Sequence, residues 1–155
     1  MTLHQSGCTI QDPVSRKKEL MVNVGISWNR KTNIFSLIRR KQKLKNSLLP
    51  ECRRHYPGND FKFLQDSVLS HHAKVMQQFL RQNTPDFITA DKWASYYPDL
   101  NPLDYCIWDI LQDLVYEGRR LQFASLRDQK EAIKNKWKEV TIETVRKSIA
   151  QWKND

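Results

Sequence analysis

Between Leu20 and Trp28 the chain alternates: Leu20, Val22, Val24, Ile26 and Trp28 are large and apolar, and Met21, Asn23, Gly25 and Ser27 stand between them. A period of two puts the first set on one side of a pleated strand, which therefore needs a partner layer to cover it. Asn29, Arg30, Lys31 and Thr32 are polar and turn-like, and the next run, Asn33 to Ile38, is again rich in Ile, Phe and Leu. The two segments are expected to form an antiparallel hairpin with a four-residue connection.

The period then shifts towards that of a helix. From Lys41 to Arg54 the pattern is helical but short, and Pro50 is expected to break it by removing a backbone donor. Phe61 to Gln65 reads as a strand, and the residues from Ser70 onward as a helix with Val75, Met76, Phe79 and Leu80 on one stripe. Asp86 to Ala90 reads as another short strand, followed by a loop from Asp91 to Asp99. Strand, helix, strand in this order predicts a parallel crossover. Further on, Asn101 is suited to cap a helix and Pro102 to begin it, with Leu103, Ile107, Ile110, Leu111 and Leu114 on its inner face. Ser125-Leu126-Arg127-Asp128 resembles a capping box with Asp in place of Glu, opening a helix whose inward residues are Ala132, Ile133, Trp137 and Val140. Thr141 caps a final helix with Val145, Ile149 and Trp152 as its stripe. Trp108, Trp137 and Trp152 fall on or beside apolar stripes, which suits core packing better than base stacking. Periodicity thus defines an α/β protein and no finer topology.

At 155 residues the chain suits one domain. Its 26 Lys and Arg against 17 Asp and Glu give a formal charge of +9, an excess that attracts polyanions. Cys8, Cys52 and Cys106 are too scattered for a disulfide framework or a zinc site, which fits a reducing compartment. No run approaches the length of a membrane span, and the residues before Lys18 lack the apolar core of a secretory signal. The protein is expected to be soluble and not secreted, and Arg39-Arg40-Lys41-Gln42-Lys43 can serve as a nuclear-import patch; otherwise it would be cytoplasmic. With four glycines there is no phosphate-cradling loop, and no Ser/His/Asp or Cys/His arrangement stands in a recognisable context. No small-molecule cofactor is expected.

Two acids carry the chemistry. Asp66 closes the strand Phe61-Lys62-Phe63-Leu64-Gln65, and Asp104 lies in Pro98-Asp99-Leu100-Asn101-Pro102-Leu103-Asp104-Tyr105, at the start of a helix. Taken singly, Asp66 also fits a polar strand end, and Asp104 also fits the favourable interaction of an acid with a helix N-terminus. Together with Ser67 to Val75 and with Cys106 to Leu111, these segments resemble the second and third acidic blocks of a mariner-type transposase of the DDE superfamily, and the resemblance runs from about Leu20 to the C-terminus. It implies an RNase-H-like mixed sheet flanked by helices. It also implies strand cleavage and transfer on DNA, using Mg²⁺ or Mn²⁺ held by three acids, of which Asp66 and Asp104 match the second and third. Such ions take hard oxygen ligands, and a pair of them activates the attacking oxygen and stabilises the leaving one. His71 matches a histidine that follows the second acid, where it would sit near metal or DNA backbone.

The sequence departs from this pattern at its beginning. The family's first catalytic Asp ends a strand upstream of the segment matching Leu20 to Trp28, and here only a short polar lead, residues 1–18, precedes the truncated catalytic domain of 19–155. Both that first strand and its acid are expected to be missing, with Asp12 a poor substitute before Pro13. Leu69 stands where the family has proline and Tyr97 where it has serine, and no room remains for the helix-turn-helix modules that read element ends. The chain therefore reads as a remnant of a DNA transposase catalytic domain, inactive alone, with DNA and another transposase subunit as partners. The alternative is a non-catalytic basic module that binds nucleic acid or an intact transposase. Arg119, Arg120, Lys134, Lys136 and Lys138 are the candidate contacts to a phosphate backbone, although charges on amphipathic helices usually mark a solvated face.

Overall fold

The computed structural model describes residues 2–11, 19–36, 44–65, 74–89 and 101–151. Among them five strands form one mixed sheet in the order β3-β2-β1-β4-β5. The strands are β1 (Thr2–Gln11), β2 (Glu19–Ile26), β3 (Phe35–Ser36), β4 (Lys62–Gln65) and β5 (Asp86–Phe87). The expected antiparallel pairing is present as β2 and β3, with Val22 opposite Ser36 and Asn23 opposite Phe35, but the connection runs from Ser27 to Ile34 rather than over four residues, Trp28 lies in it half-exposed, and the second strand is only two residues long. The parallel crossover is also present. β4 and β5 pair in parallel, Lys62 with Asp86 and Phe63 with Phe87, and α2 (Lys74–Asn83) lies between them in sequence.

The centre of the sheet corrects the sequence reading. Residues 2–11, expected as a polar lead, form the longest strand and the middle one, antiparallel to β2 and parallel to β4. The fold therefore does not lack its first strand. The strand was hidden because Thr-Leu-His-Gln-Ser-Gly-Cys-Thr-Ile-Gln carries almost no hydrophobic alternation, although His4, Gln5 and Ser6 are all but fully buried. A ladder on both sides satisfies its backbone, and burial follows from position in the sheet, which composition does not reveal.

One face of the sheet packs on α1 (Leu49–His55), its preceding π-helical turn Leu44–Leu48, and α2, with Leu3, Leu49, Cys52, Phe63, Phe79 and Leu80 in the core. Pro50 does not break α1. It sits in the first turn of α1, directly after the π-helical turn, and the chain stays helical through it. Met76, Phe79 and Leu80 form the inner stripe of α2, but Val75 is 59% exposed and lies off it.

The other face carries α3 (Trp108–Tyr116), α4 (Leu126–Glu139) and α5 (Ile142–Gln151) over Val22, Val24 and Ile26 of β2 and Ile10 of β1. Trp108 and Trp137 are core residues, as their stripes predict; Trp152 lies outside the described residues. Gly118 ends α3 with φ +67°, a conformation that costs glycine little, and the next N–H, of Arg119, returns to the Tyr116 carbonyl. Ser125 caps α4 by accepting from Asp128 N–H at 3.1 Å, and its own hydroxyl donates to the Asp128 carboxylate at 2.7 Å. Thr141 caps α5 in the same manner through Thr144 N–H at 3.1 Å.

Candidate functional site

Asp104 sits on a single π-helical turn, Leu103–Ile107, that runs directly into α3. Such turns widen the helix locally and recur at functional sites. Asn101, fully buried, fixes the turn from below: its Oδ1 accepts from Leu103 N–H, its carbonyl accepts from Asp104 N–H at 2.8 Å, and its Nδ2 donates to the carbonyl of Gln5 in β1. The cap expected at Asn101 thus also bolts the acid-bearing turn to the central strand. Tyr105 adds a second tie, its hydroxyl donating to the Ser148 carbonyl of α5.

Across from this turn, β1 presents His4, Ser6, Cys8 and Ile10 on one side, since alternate residues of a strand share a face. Ser6 Oγ donates to Asp104 Oδ1 at 2.5 Å and accepts from Trp108 Nε1 at 3.2 Å. Ser6 is fully buried whereas Asp104 is exposed, so the carboxylate leans from the surface onto a hydroxyl at the edge of the core. Two residues along, burial and then the charges of Asp104 and Asp109 push the Cys8 thiol up to about 11, so it stays protonated. Burial pushes the His4 imidazole down to about 4, so it stays neutral at pH 7.

The β1–β4 register pairs Gln5 with Gln65, the last residue of β4. Ser6 and Asp66 are the residues that follow each of these along the chain. Asp66, His71 and Asp12 lie outside the described residues. In the described part of the site Ser6, a neutral hydroxyl, touches the Asp104 carboxylate, and Asp109 is near enough to act on Cys8. Neither Asp nor Glu occurs in β1. Among the described residues no group of three His, Cys, Asp or Glu side chains is placed to hold a metal ion. Ser6 was missed because no motif marks it; only the pairing of β1 with β4 and the position of Asp104 bring it forward.

The expected phosphate contacts lie on two elements, the turn after α3 and α4. Arg119 and Arg120 are exposed in the turn after α3, and the Arg119 guanidinium lies 3.7 Å from the centre of the Phe123 ring. Lys134 and Lys138 are exposed on α4 and line a groove with Lys130. Lys136 does not line it and pairs with Glu139 at 3.1 Å. Among the described residues no helix is long and apolar enough to cross a membrane.

No family model matches the chain. Over 92 residues, 59% of the chain, it is 28% identical to the Tc3 transposase of Caenorhabditis elegans; the match covers 26% of that protein, so the chain spans about a quarter of its curated relative. In fold it is similar to the catalytic domain of the Mos1 mariner transposase, with a TM-score of 0.74, 20% identity, and coverage of 97% of this chain and 76% of that one. It is equally similar to Mos1 in a paired-end complex with Mn, with a TM-score of 0.77, 19% identity, and coverage of 97% and 52%. A Mos1 catalytic domain holding raltegravir with Mg gives a TM-score of 0.75 at 20% identity, covering 97% of this chain and 77% of that one. In sequence the chain thus resembles a Tc3 transposase, and its mixed sheet with flanking helices has the fold of the Mos1 mariner transposase catalytic domain.

Proposed function

We propose that this chain is a transposase catalytic-domain remnant that associates with DNA but does not cut it alone. One observation carries the reading: the central strand places Ser6, a neutral hydroxyl, against Asp104 at 2.5 Å, where a metal pair would need another carboxylate. Mg²⁺ and Mn²⁺ are hard cations that bind anionic oxygen far better than a neutral hydroxyl, and losing one bridging charge leaves two dications poorly neutralised. The solved Mos1 structures with Mg and Mn support a divalent cofactor in the relatives. Here Asp66 and Asp104 are the two acids that would remain for one ion. The +9 charge and the Mos1 complexes with transposon ends support DNA and a second transposase subunit as partners, and hence a nuclear place of action.

Purified protein incubated with supercoiled plasmid and Mg²⁺ or Mn²⁺ is expected to leave it intact. Nicking that disappears in both Asp66→Ala and Asp104→Ala would overturn the reading.

A further inference from the structure

A groove of about 500 Å³ runs between α4 and the β2–β3 edge of the sheet, at the far side of β2 and β1 from the β4 strand that leads to Asp66. Its floor is Ile34 and Trp137, both buried. Its outer wall is a row of three lysines, Lys130, Lys134 and Lys138, with Glu131 as the acid among its lining residues. The spacing of four residues repeats about every 6 Å along a helix, so the ammonium groups form a line rather than a cluster.

Several described lysines elsewhere have their charge met by an acid, whereas these do not. Lys62 pairs with Asp86, Lys136 with Glu139 and Lys147 with Glu143. Among the described residues Lys130 and Lys134 have no ion pair, and Lys138 donates only to the neutral Asn135 side chain at 3.3 Å. A concave surface focuses the field of unpaired like charges, and a regular row suits a ligand whose negative charges are also regularly spaced. We infer that this groove is a docking site for the phosphodiester backbone of DNA, separate from the Asp104 site. Lysines act as point charges that displace condensed counterions, without the planar fork that selects a single carboxylate, so a repeating phosphate chain is favoured over an acidic peptide. The inference rests on the nucleic-acid reading proposed above and gives it a location.

The test measures binding of the full chain to a short random-sequence DNA duplex by fluorescence anisotropy across a salt series. Three neutralised phosphates contribute a slope of about −2.7 in log K against log salt, or about a 40-fold loss of affinity over a fourfold rise in salt. The variant Lys130→Gln/Lys134→Gln/Lys138→Gln is expected to lose that component. Lys62→Gln/Lys136→Gln/Lys147→Gln removes the same number of charges and is expected to lose much less. Lys134→Glu alone gives an independent check, lowering the slope by about one or more. A groove variant as salt-sensitive as the wild type overturns the site but leaves the DNA reading standing. No binding by the wild type at low salt overturns both. Poly-glutamate that competes as well as DNA, charge for charge, overturns the choice of ligand.

Discussion

Ser6→Asp asks directly whether the hydroxyl at the centre of the sheet stands where a carboxylate would build a metal site. Ser6 Oγ and Asp104 Oδ1 are 2.5 Å apart, so the new carboxylate would meet Asp104 at close range. Two unit charges 4 Å apart at an effective dielectric near 20 repel by about 4 kcal/mol. Asp104 is exposed, and solvent screening reduces this to roughly half. The Trp108 indole N–H, which now donates to Ser6, can donate equally to a carboxylate and keeps that contact. Without metal the variant is therefore expected to lose about 2 kcal/mol, which for a chain of this length lowers Tm by about 4–8 °C. A divalent ion reverses the sign, because the repelling oxygens become its ligands. At a concentration of one hundred times Kd it restores about 2.7 kcal/mol, offsetting the whole loss. The assay is thermal unfolding of wild type, Ser6→Asp and Ser6→Asp/Asp104→Asn in chelator, Mg²⁺ and Mn²⁺. Only Ser6→Asp is expected to gain stability with metal, in a concentration-dependent way. Refutation would be a Ser6→Asp protein that melts like wild type in chelator, or one whose Tm does not respond to either ion more than the wild type's.

Other predictions concern stability. Burial holds His4 near a pKa of about 4 against 6.5 when unfolded, so between those values the unfolded chain binds the extra proton. Stability from this group is complete above pH 6.5 and falls as pH drops towards 4, by about 3 kcal/mol; in His4→Gln the same acid titration of Tm should be shallower by that amount. Lys31 closes the C-terminus of α4, donating to the carbonyls of Trp137, Lys138 and Val140 while lying 4.7 Å over the Trp137 ring. Lys31→Met keeps the stem but strands those carbonyls, and urea unfolding should show a loss of about 1–3 kcal/mol with no change in m value. Removing the cap of α4 by Ser125→Ala should cost about 1 kcal/mol in the same measurement.

How far the sequence reaches depends on whether a residue's role is set by near or distant neighbours. The hairpin of β2 and β3, the strand ending at Gln65 and the caps at Asn101, Ser125 and Thr141 could all be read from the chain, because each depends on alternation or on partners within four residues. Pro50 does not end the helix as expected, because the change from a π-helical to an α-helical turn falls just before it, and such a change leaves no mark in propensity. Val75 adjoins the inner stripe of α2 in sequence yet is exposed, because neighbouring apolar residues do not mark where a stripe ends.

By itself, then, the sequence determined the α/β class, the two acidic blocks and the basic charge, all of which are local or compositional. The tertiary structure alone decided that residues 2–11 are the middle of the sheet and that Ser6 faces Asp104 across 98 positions of chain. A central strand owes its stability to ladders on both sides, so polar residues such as His4, Gln5 and Ser6 can occupy it without any periodic signal. Likewise Lys130, Lys134 and Lys138 are an ordinary solvated stripe until the β3 edge closes a groove beside them.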